Sequence, residues 1–167
     1  ELYDLFDKDN LCKHFEMGKV PIPDFALHIN SLLGSNWSEE QMSLQWNRMI
    51  GKPITGMIEL LEQLYTRFPL YVLSNLSPPH HTHAFETFPF LRKYFRQFFA
   101  SCEMGLLKPD PAIYEAVAQE VGEEPGNLIF IDDRPENITG ARSIGMHAIE
   151  FSSSQELIRE LSHYIPL

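Results

Sequence analysis

The chain has 167 residues, enough for one core domain with a small appendage, and its hydrophobic content of 44% is ordinary for a globular protein. Acidic residues outnumber basic ones by 23 to 13, and the resulting charge of −10 argues against a nucleic-acid or anionic-membrane surface. No run of about 18 apolar residues predicts a membrane span, and the first residues do not resemble a signal peptide, so we expect a soluble, cytoplasmic protein. Cys12 and Cys102 have no CxxC spacing and are expected to be buried thiols.

The first fifty residues have apolar spacings typical of helices, with no clear strand. A first helical run is broken at Gly18, a second runs from Pro23-Asp24 to a stop at Gly34, and a third begins at a capping box, Ser38 to Gln41. Gly51-Lys52-Pro53 then indicates a hinge. We therefore predict a helical domain over 1–50 and a separate core domain over 51–167.

From residue 54 onward, helices and strands alternate. Apolar runs predict strands at 70–73, 97–101, 128–131 and 147–151, with helices between them, one of which begins at Asp110-Pro111 and ends at Gly122. The Pro-Pro segment 77–83 is predicted to be a loop. Such alternation predicts an α/β fold with a Rossmann-like, mainly parallel sheet covered by helices on both faces.

Two adjacent carboxylates, Asp132 and Asp133, follow the run Leu128–Ile131, which is typical of a strand buried on both faces. Ligands of open α/β sheets bind at the carboxyl ends of strands, and two carboxylates there are costly unless a cation or a hydrogen-bonded partner neutralises them. One interpretation is a Mg²⁺ site with Asp133 as ligand. The other is a turn in which the acids cap the following helix.

Two further polar features lie at predicted strand ends or in the adjacent loops. Ser74-Asn75 follows the strand at 70–73, and Lys108 precedes the helix at 111. A hydroxyl, an ammonium group and a carboxylate pair are what a site for phosphate and Mg²⁺ needs, because they donate to a phosphoryl oxygen, neutralise charge and hold the metal. We predict that Lys108 lies within salt-bridge reach of Asp132 or Asp133.

These residues resemble the haloacid dehalogenase-like hydrolase superfamily. The match covers Val72-Leu-Ser-Asn75, the stretch from Ser101 to Tyr114 with its Lys-Pro-Asp-Pro-x-Ile-Tyr sequence, and Phe130–Asn137; the segment Cys12–Phe25 resembles the helical cap of one phosphatase-like branch. The resemblance implies that Ser74 and Asn75 bind the phosphoryl group and that Lys108 steadies it. It also implies that Asp133 binds Mg²⁺. Asp132 is the second residue expected at the metal site, paired with Lys108. The implied activity is that of a Mg²⁺-dependent phosphatase of small phosphorylated metabolites, acting through an aspartyl-phosphate.

The sequence departs from that family at its first motif, Asp-x-Asp, which supplies the nucleophile and the acid/base. Asp7-Lys8-Asp9 does not fit, because no buried apolar run precedes it and it lies too close to the cap-like segment. We expect the first strand and its nucleophile to be absent from this chain, through missing N-terminal residues. In that case the strands 70–74 and 128–132 are expected to lie about 9–10 Å apart, two strand spacings, rather than to pair directly.

Other functions are compatible with parts of this pattern. The main alternative is a catalytically inactive family member that acts as a binding module. A phospho-acceptor receiver domain also unites these residue types, but in a different chain order. His80, His81 and His83 would suit contact with a leaving group better than a zinc site, because a flexible Pro-Pro loop is a poor metal cage. The residues leave the substrate and the oligomeric state open.

Overall fold

The computed structural model describes residues 10–166, which form helices and four short strands. The helices in chain order are α1 (Asn10–Glu16), α2 (Ile22–Leu33), α3 (Glu39–Asn47), α4 (Met57–Leu64), α5 (Pro78–Thr87), α6 (Phe90–Tyr94), α7 (Ser101–Met104), α8 (Pro111–Val121), α9 (Pro135–Ser143) and α10 (Ser154–Leu161). The strands are β1 (Tyr71–Ser74), β2 (Gln97–Ala100), β3 (Ile129–Asp132) and β4 (His147–Glu150). No helix within residues 10–166 combines the length and the apolar character that a membrane span requires.

The strands form two sheets of two strands each in the described part of the chain, β1 with β2 and β3 with β4. Strands β3 and β4 are parallel, with Ile129 opposite His147 and Asp132 opposite Glu150. The predicted α/β class with parallel strands is therefore confirmed. Within residues 10–166, β1 and β3 belong to different sheets, so they do not pair directly. The spacing of about 9–10 Å expected between them stays a prediction.

The chain divides into two compact units that do not follow the predicted boundary at residue 50. The first unit comprises the described residues up to Lys52 together with Val72–Lys93 and Phe98–Leu107, and the second comprises Pro53–Tyr71, Tyr94–Gln97 and residues from Lys108 onward. The helices α1 to α3 thus share a unit with most of β1, β2 and the helix α5. The division into a 1–50 cap and a 51–167 core stays a prediction.

Several helix boundaries are set by the local signals that predicted them. Ser38 Oγ accepts a hydrogen bond from the backbone N–H of Gln41 at 3.2 Å, and Oε1 of Gln41 accepts one from the backbone N–H of Ser38 at 3.0 Å, which completes the capping box of α3. Gly34 ends α2 at a φ of 61°, in the left-handed region where glycine is favoured. The Asp110 carboxylate accepts from Ala112 N at 3.0 Å and so caps α8.

The segment 77–83 is not the predicted loop, because most of it lies in the helix α5. Pro78 and Pro79 occupy the first two helical positions. Backbone N–H groups at those positions have no partner inside a helix, so two residues without an N–H lose nothing there, and their fixed φ suits a helix start. The proline pair therefore marks a helix start rather than a loop.

The second unit has an apolar core of its own. Its members come from α4, β4 and α10: Leu60, Leu64, Ile149, Leu157 and Leu161. Strand β3 is less buried than predicted, since Ile131 keeps 37% of its surface exposed. This strand pairs with β4 alone among the described residues, so its other edge has no strand neighbour there.

Candidate active site

A buried ion pair lies at the carboxyl end of β3. The ammonium group of Lys108 lies 2.5 Å from Oδ2 of Asp132, and the two side chains are only 9% and 7% exposed. The ammonium also lies 5.5 Å from the centre of the Phe130 ring, within the range of a cation–π contact. This pair confirms the prediction that Lys108 contacts one of the two adjacent carboxylates.

The second oxygen of Asp132 is held by the start of α9. Oδ1 accepts hydrogen bonds from the backbone N–H of Arg134 at 3.0 Å and from Nδ2 of Asn137 at 2.8 Å. Burial by itself raises the pKa of Asp132, but the charge of Lys108 and the hydrogen bonds from Lys108, Asn137 and Arg134 outweigh it and lower that pKa below its ordinary value. Asp132 is therefore an ionised anchor that fixes the Lys108 ammonium in place.

A further layer of contacts supports this anchor. Tyr114 is completely buried, its hydroxyl donates to the backbone oxygen of Asn137 at 2.9 Å, and its ring meets Phe130 edge-on at 5.2 Å. Burial, together with the charges of Asp132 and Glu136, raises the pKa of Tyr114 well above its ordinary value, so the hydroxyl remains a donor. Neither Tyr114 nor Asn137 was predicted to have a role, although both lie in the motif stretches that resemble the family.

Asp133 differs from Asp132 in its exposure and in its hydrogen bonding. Asp133 is exposed, and within residues 10–166 no hydrogen bond or ion pair holds its carboxylate. Carboxylate oxygens suit Mg²⁺, which usually binds through one or two carboxylates and completes its shell with water and phosphate oxygens. Asp133 therefore fits the donor chemistry of such an ion. In the described part of the chain, no three His, Cys, Asp or Glu side chains are grouped closely enough to form a metal cage.

The remaining predicted site residues belong to the first unit or lie outside the described residues. Ser74 ends β1 and is partly buried, and Asn75 follows it directly. Asp7 and Asp9, whose position does not fit the family's first motif, lie outside the described residues. The structure therefore brings together Lys108 and Asp132, and the phosphate-binding roles of Ser74 and Asn75 stay predictions.

The three histidines of α5 have different surroundings. His80 is buried, and its Nε2 lies 2.8 Å from the backbone oxygen of Trp46, which makes it a donor rather than a metal ligand at that atom. His81 lies 3.7 Å from Glu103 and packs edge-on against Phe85. His80 and His83 are three residues apart and lie on one side of α5, whereas His81 lies on another.

Comparison with known proteins identifies relatives of this chain. Residues 33–145 match the profile of the haloacid dehalogenase-like hydrolases. The flavin mononucleotide hydrolase 1 of Arabidopsis thaliana is 37% identical over 110 residues, which cover 65% of this chain but only 44% of the relative. A sesquiterpene phosphatase of Aspergillus oryzae is 27% identical over 154 residues, covering 92% of this chain and 78% of that protein. The chain thus spans less than half the length of the first of these relatives.

Solved structures give the same assignment. A haloacid dehalogenase family enzyme from Bacteroides thetaiotaomicron, crystallised with magnesium and inorganic phosphate, superimposes with a TM-score of 0.80 at 27% identity. The similarity covers 91% of this chain and 79% of the Bacteroides protein. The profile match spans more than half of the chain and includes β1, Lys108 and the Asp132 anchor. On this sequence and structural evidence, the chain belongs to the haloacid dehalogenase-like hydrolase family.

Proposed function

We propose that the protein is a Mg²⁺-dependent phosphatase that hydrolyses phosphate monoesters of small metabolites. The observation that carries this proposal is the buried Lys108–Asp132 pair, held at the end of β3 directly before an exposed carboxylate, Asp133. Relatives named as hydrolases or phosphatases of phosphorylated compounds support it, as does the similarity to a Bacteroides enzyme crystallised with magnesium and phosphate.

Each residue has a distinct role in this proposal. Asp132 keeps the Lys108 ammonium charged and oriented, and that ammonium neutralises charge on the phosphoryl group in the transition state. Ser74 and Asn75 donate hydrogen bonds to phosphoryl oxygens. Asp133 would hold the metal ion, whose positive charge would neutralise negative charge on the phosphate. Because Asp132 already accepts from Lys108, Arg134 and Asn137, it serves as an anchor, and Asp133 is the better metal ligand of the two.

The covalent step in the proposal needs an aspartate of the family's first motif. Its carboxylate oxygen bonds to phosphorus as the ester oxygen leaves and takes up a proton, and water then cleaves the acyl phosphate to release inorganic phosphate. We assign this aspartate to a first motif that does not occur in recognisable form in the chain.

The test is phosphate release from flavin mononucleotide and other small phosphate monoesters by the natural full-length protein. We expect turnover with Mg²⁺, none with excess chelator, and a loss of at least about 100-fold in Asp133→Asn. Glu136→Gln is the matched control, because Glu136 is another exposed carboxylate of the same helix start and is expected to leave turnover unchanged.

Two outcomes would contradict the proposal. Full turnover in Asp133→Asn or in chelator would exclude the metal role of that carboxylate. Phosphate binding without any turnover would instead identify the protein as a binding module that keeps the fold.

A further inference from the structure

Ser77 stands at the N-terminus of α5, but its hydroxyl does not cap that helix. The residue is completely buried, and its Oγ accepts a hydrogen bond from Nε1 of Trp46 at 2.9 Å. A serine at this position ordinarily accepts from the backbone N–H of the second or third helical residue. Here the second residue is Pro79, which has no N–H, and the third, His80, makes no capping bond to the serine side chain. The hydroxyl bonds the tryptophan of α3 instead.

Trp46 is itself held firmly within the first unit. Its ring stacks on the His80 ring at 5.5 Å, and it meets the Phe25 ring edge-on at 4.8 Å. Its backbone oxygen lies 2.8 Å from Nε2 of His80, which donates to it. Burial lowers the pKa of His80, so its ring is neutral at pH 7 and carries a single N–H. That N–H lies on Nε2, where it bonds the Trp46 oxygen. The indole N–H therefore approaches Ser77 from a fixed position.

A second buried hydroxyl holds the residue just before Ser77. Ser101 is completely buried, and its Oγ accepts from the backbone N–H of Leu76 at 2.9 Å and donates to the backbone oxygen of Glu16 at 2.6 Å. The chain after α1 also comes very close to α7, because a Cβ at Gly18 would lie 2.3 Å from the backbone oxygen of Cys102. Ser77 is thus tied directly to α3 by a buried hydrogen bond, and Leu76 is tied to α1 through the hydroxyl of Ser101.

We infer that Trp46, Ser77 and Ser101 are positioning residues for the segment 74–77, the phosphate loop. This inference rests on the proposed function, which assigns phosphate binding to Ser74 and Asn75. Donors stabilise an anion most when their orientation is set before the anion arrives, because no reorganisation is then needed on binding. The hydroxyls of Ser77 and Ser101 fix the backbone that carries those donors, and they make α1 and α3 part of the support of the phosphate site.

The test is the affinity of the natural full-length protein for inorganic phosphate in the presence of Mg²⁺, measured by titration calorimetry, with the melting temperature measured in parallel. Trp46→Phe keeps an aromatic ring but removes the N–H, and Ser77→Ala removes the acceptor of the same bond. Each is expected to weaken phosphate binding about fivefold to tenfold, the equivalent of one buried hydrogen bond. Because both variants break one bond, the double variant is expected to be no weaker than either single one.

Trp37→Phe is the matched control, because Trp37 is a partly exposed tryptophan of the same unit that bonds Asn30 through its backbone N–H and carbonyl oxygen. It is expected to bind phosphate as the unaltered protein does. Unchanged phosphate affinity in Ser77→Ala, with only a lower melting temperature, would overturn the inference by reducing the bond to a purely structural role. An unaltered protein that binds no phosphate would overturn the proposed function itself, and the inference with it.

Discussion

Replacing Asp132 by Asn should destabilise the protein far more than removal of an exposed charge. The Lys108–Asp132 distance of 2.5 Å corresponds to an attraction of roughly 6–7 kcal/mol at an effective dielectric constant of 20. Desolvation of both groups offsets part of this attraction. Breaking a buried pair on one side typically costs about 3–5 kcal/mol, because the remaining charge stays buried without its partner. We therefore expect Asp132→Asn to lower the free energy of unfolding by about 3–4 kcal/mol.

Urea unfolding at pH 7, followed by far-ultraviolet circular dichroism, measures this loss. The matched control is Glu136→Gln, which breaks the Arg134–Glu136 pair at 2.6 Å, whose side chains are 47% and 46% exposed. Exposed pairs contribute about 0–1 kcal/mol, so the control should remain close to the unaltered protein. The double variant Lys108→Met with Asp132→Asn should lose less than the sum of the single variants, since no buried charge is then left unpaired. Equal losses in Asp132→Asn and Glu136→Gln would refute the reasoning.

Three further predictions concern the same unit. The pKa of Asp132 is lowered in the folded state, so this carboxylate stabilises the fold above its unfolded pKa of about 3.9 and loses that effect as the pH falls through its folded pKa. The urea midpoint between about pH 2 and 6 should therefore depend less on pH in Asp132→Asn than in the unaltered protein. Gly140→Ala should lower the free energy of unfolding in urea by about 1–3 kcal/mol, because the added Cβ would lie 2.4 Å from the backbone oxygen of Pro109. Gly126→Ala is the control and should leave that free energy unchanged, because its Cβ would lie 3.9 Å from the nearest atom. Tyr114→Phe should lower the free energy of unfolding by about 1–2 kcal/mol, because it removes the buried hydrogen bond to the backbone oxygen of Asn137. Tyr164→Phe is the control and should leave the free energy of unfolding unchanged, because Tyr164 is 45% exposed.

The sequence alone was sufficient wherever the physical cause is local. The capping box at Ser38, the stop at Gly34 and the cap at Asp110 each depend on hydrogen bonds or backbone angles within a few residues. The ion pair of Lys108 could also be predicted, because two adjacent carboxylates at a strand end need a cation wherever the chain supplies one. The family was recognisable for the same reason, since its motifs are short continuous stretches.

Only the tertiary structure decided between alternatives that have the same local pattern. The residue pattern alone does not distinguish Asp132 from Asp133, although the family resemblance implied that Asp132 pairs with Lys108. The contacts with Lys108 and Asn137 make Asp132 a buried anchor, while Asp133 is exposed. Ser77 looks like a turn serine until Trp46, 31 residues earlier, is seen to bind its hydroxyl. Side-chain hydrogen bonds of this kind depend on which distant element packs against the residue, and the spacing of residues along the chain carries no record of that packing.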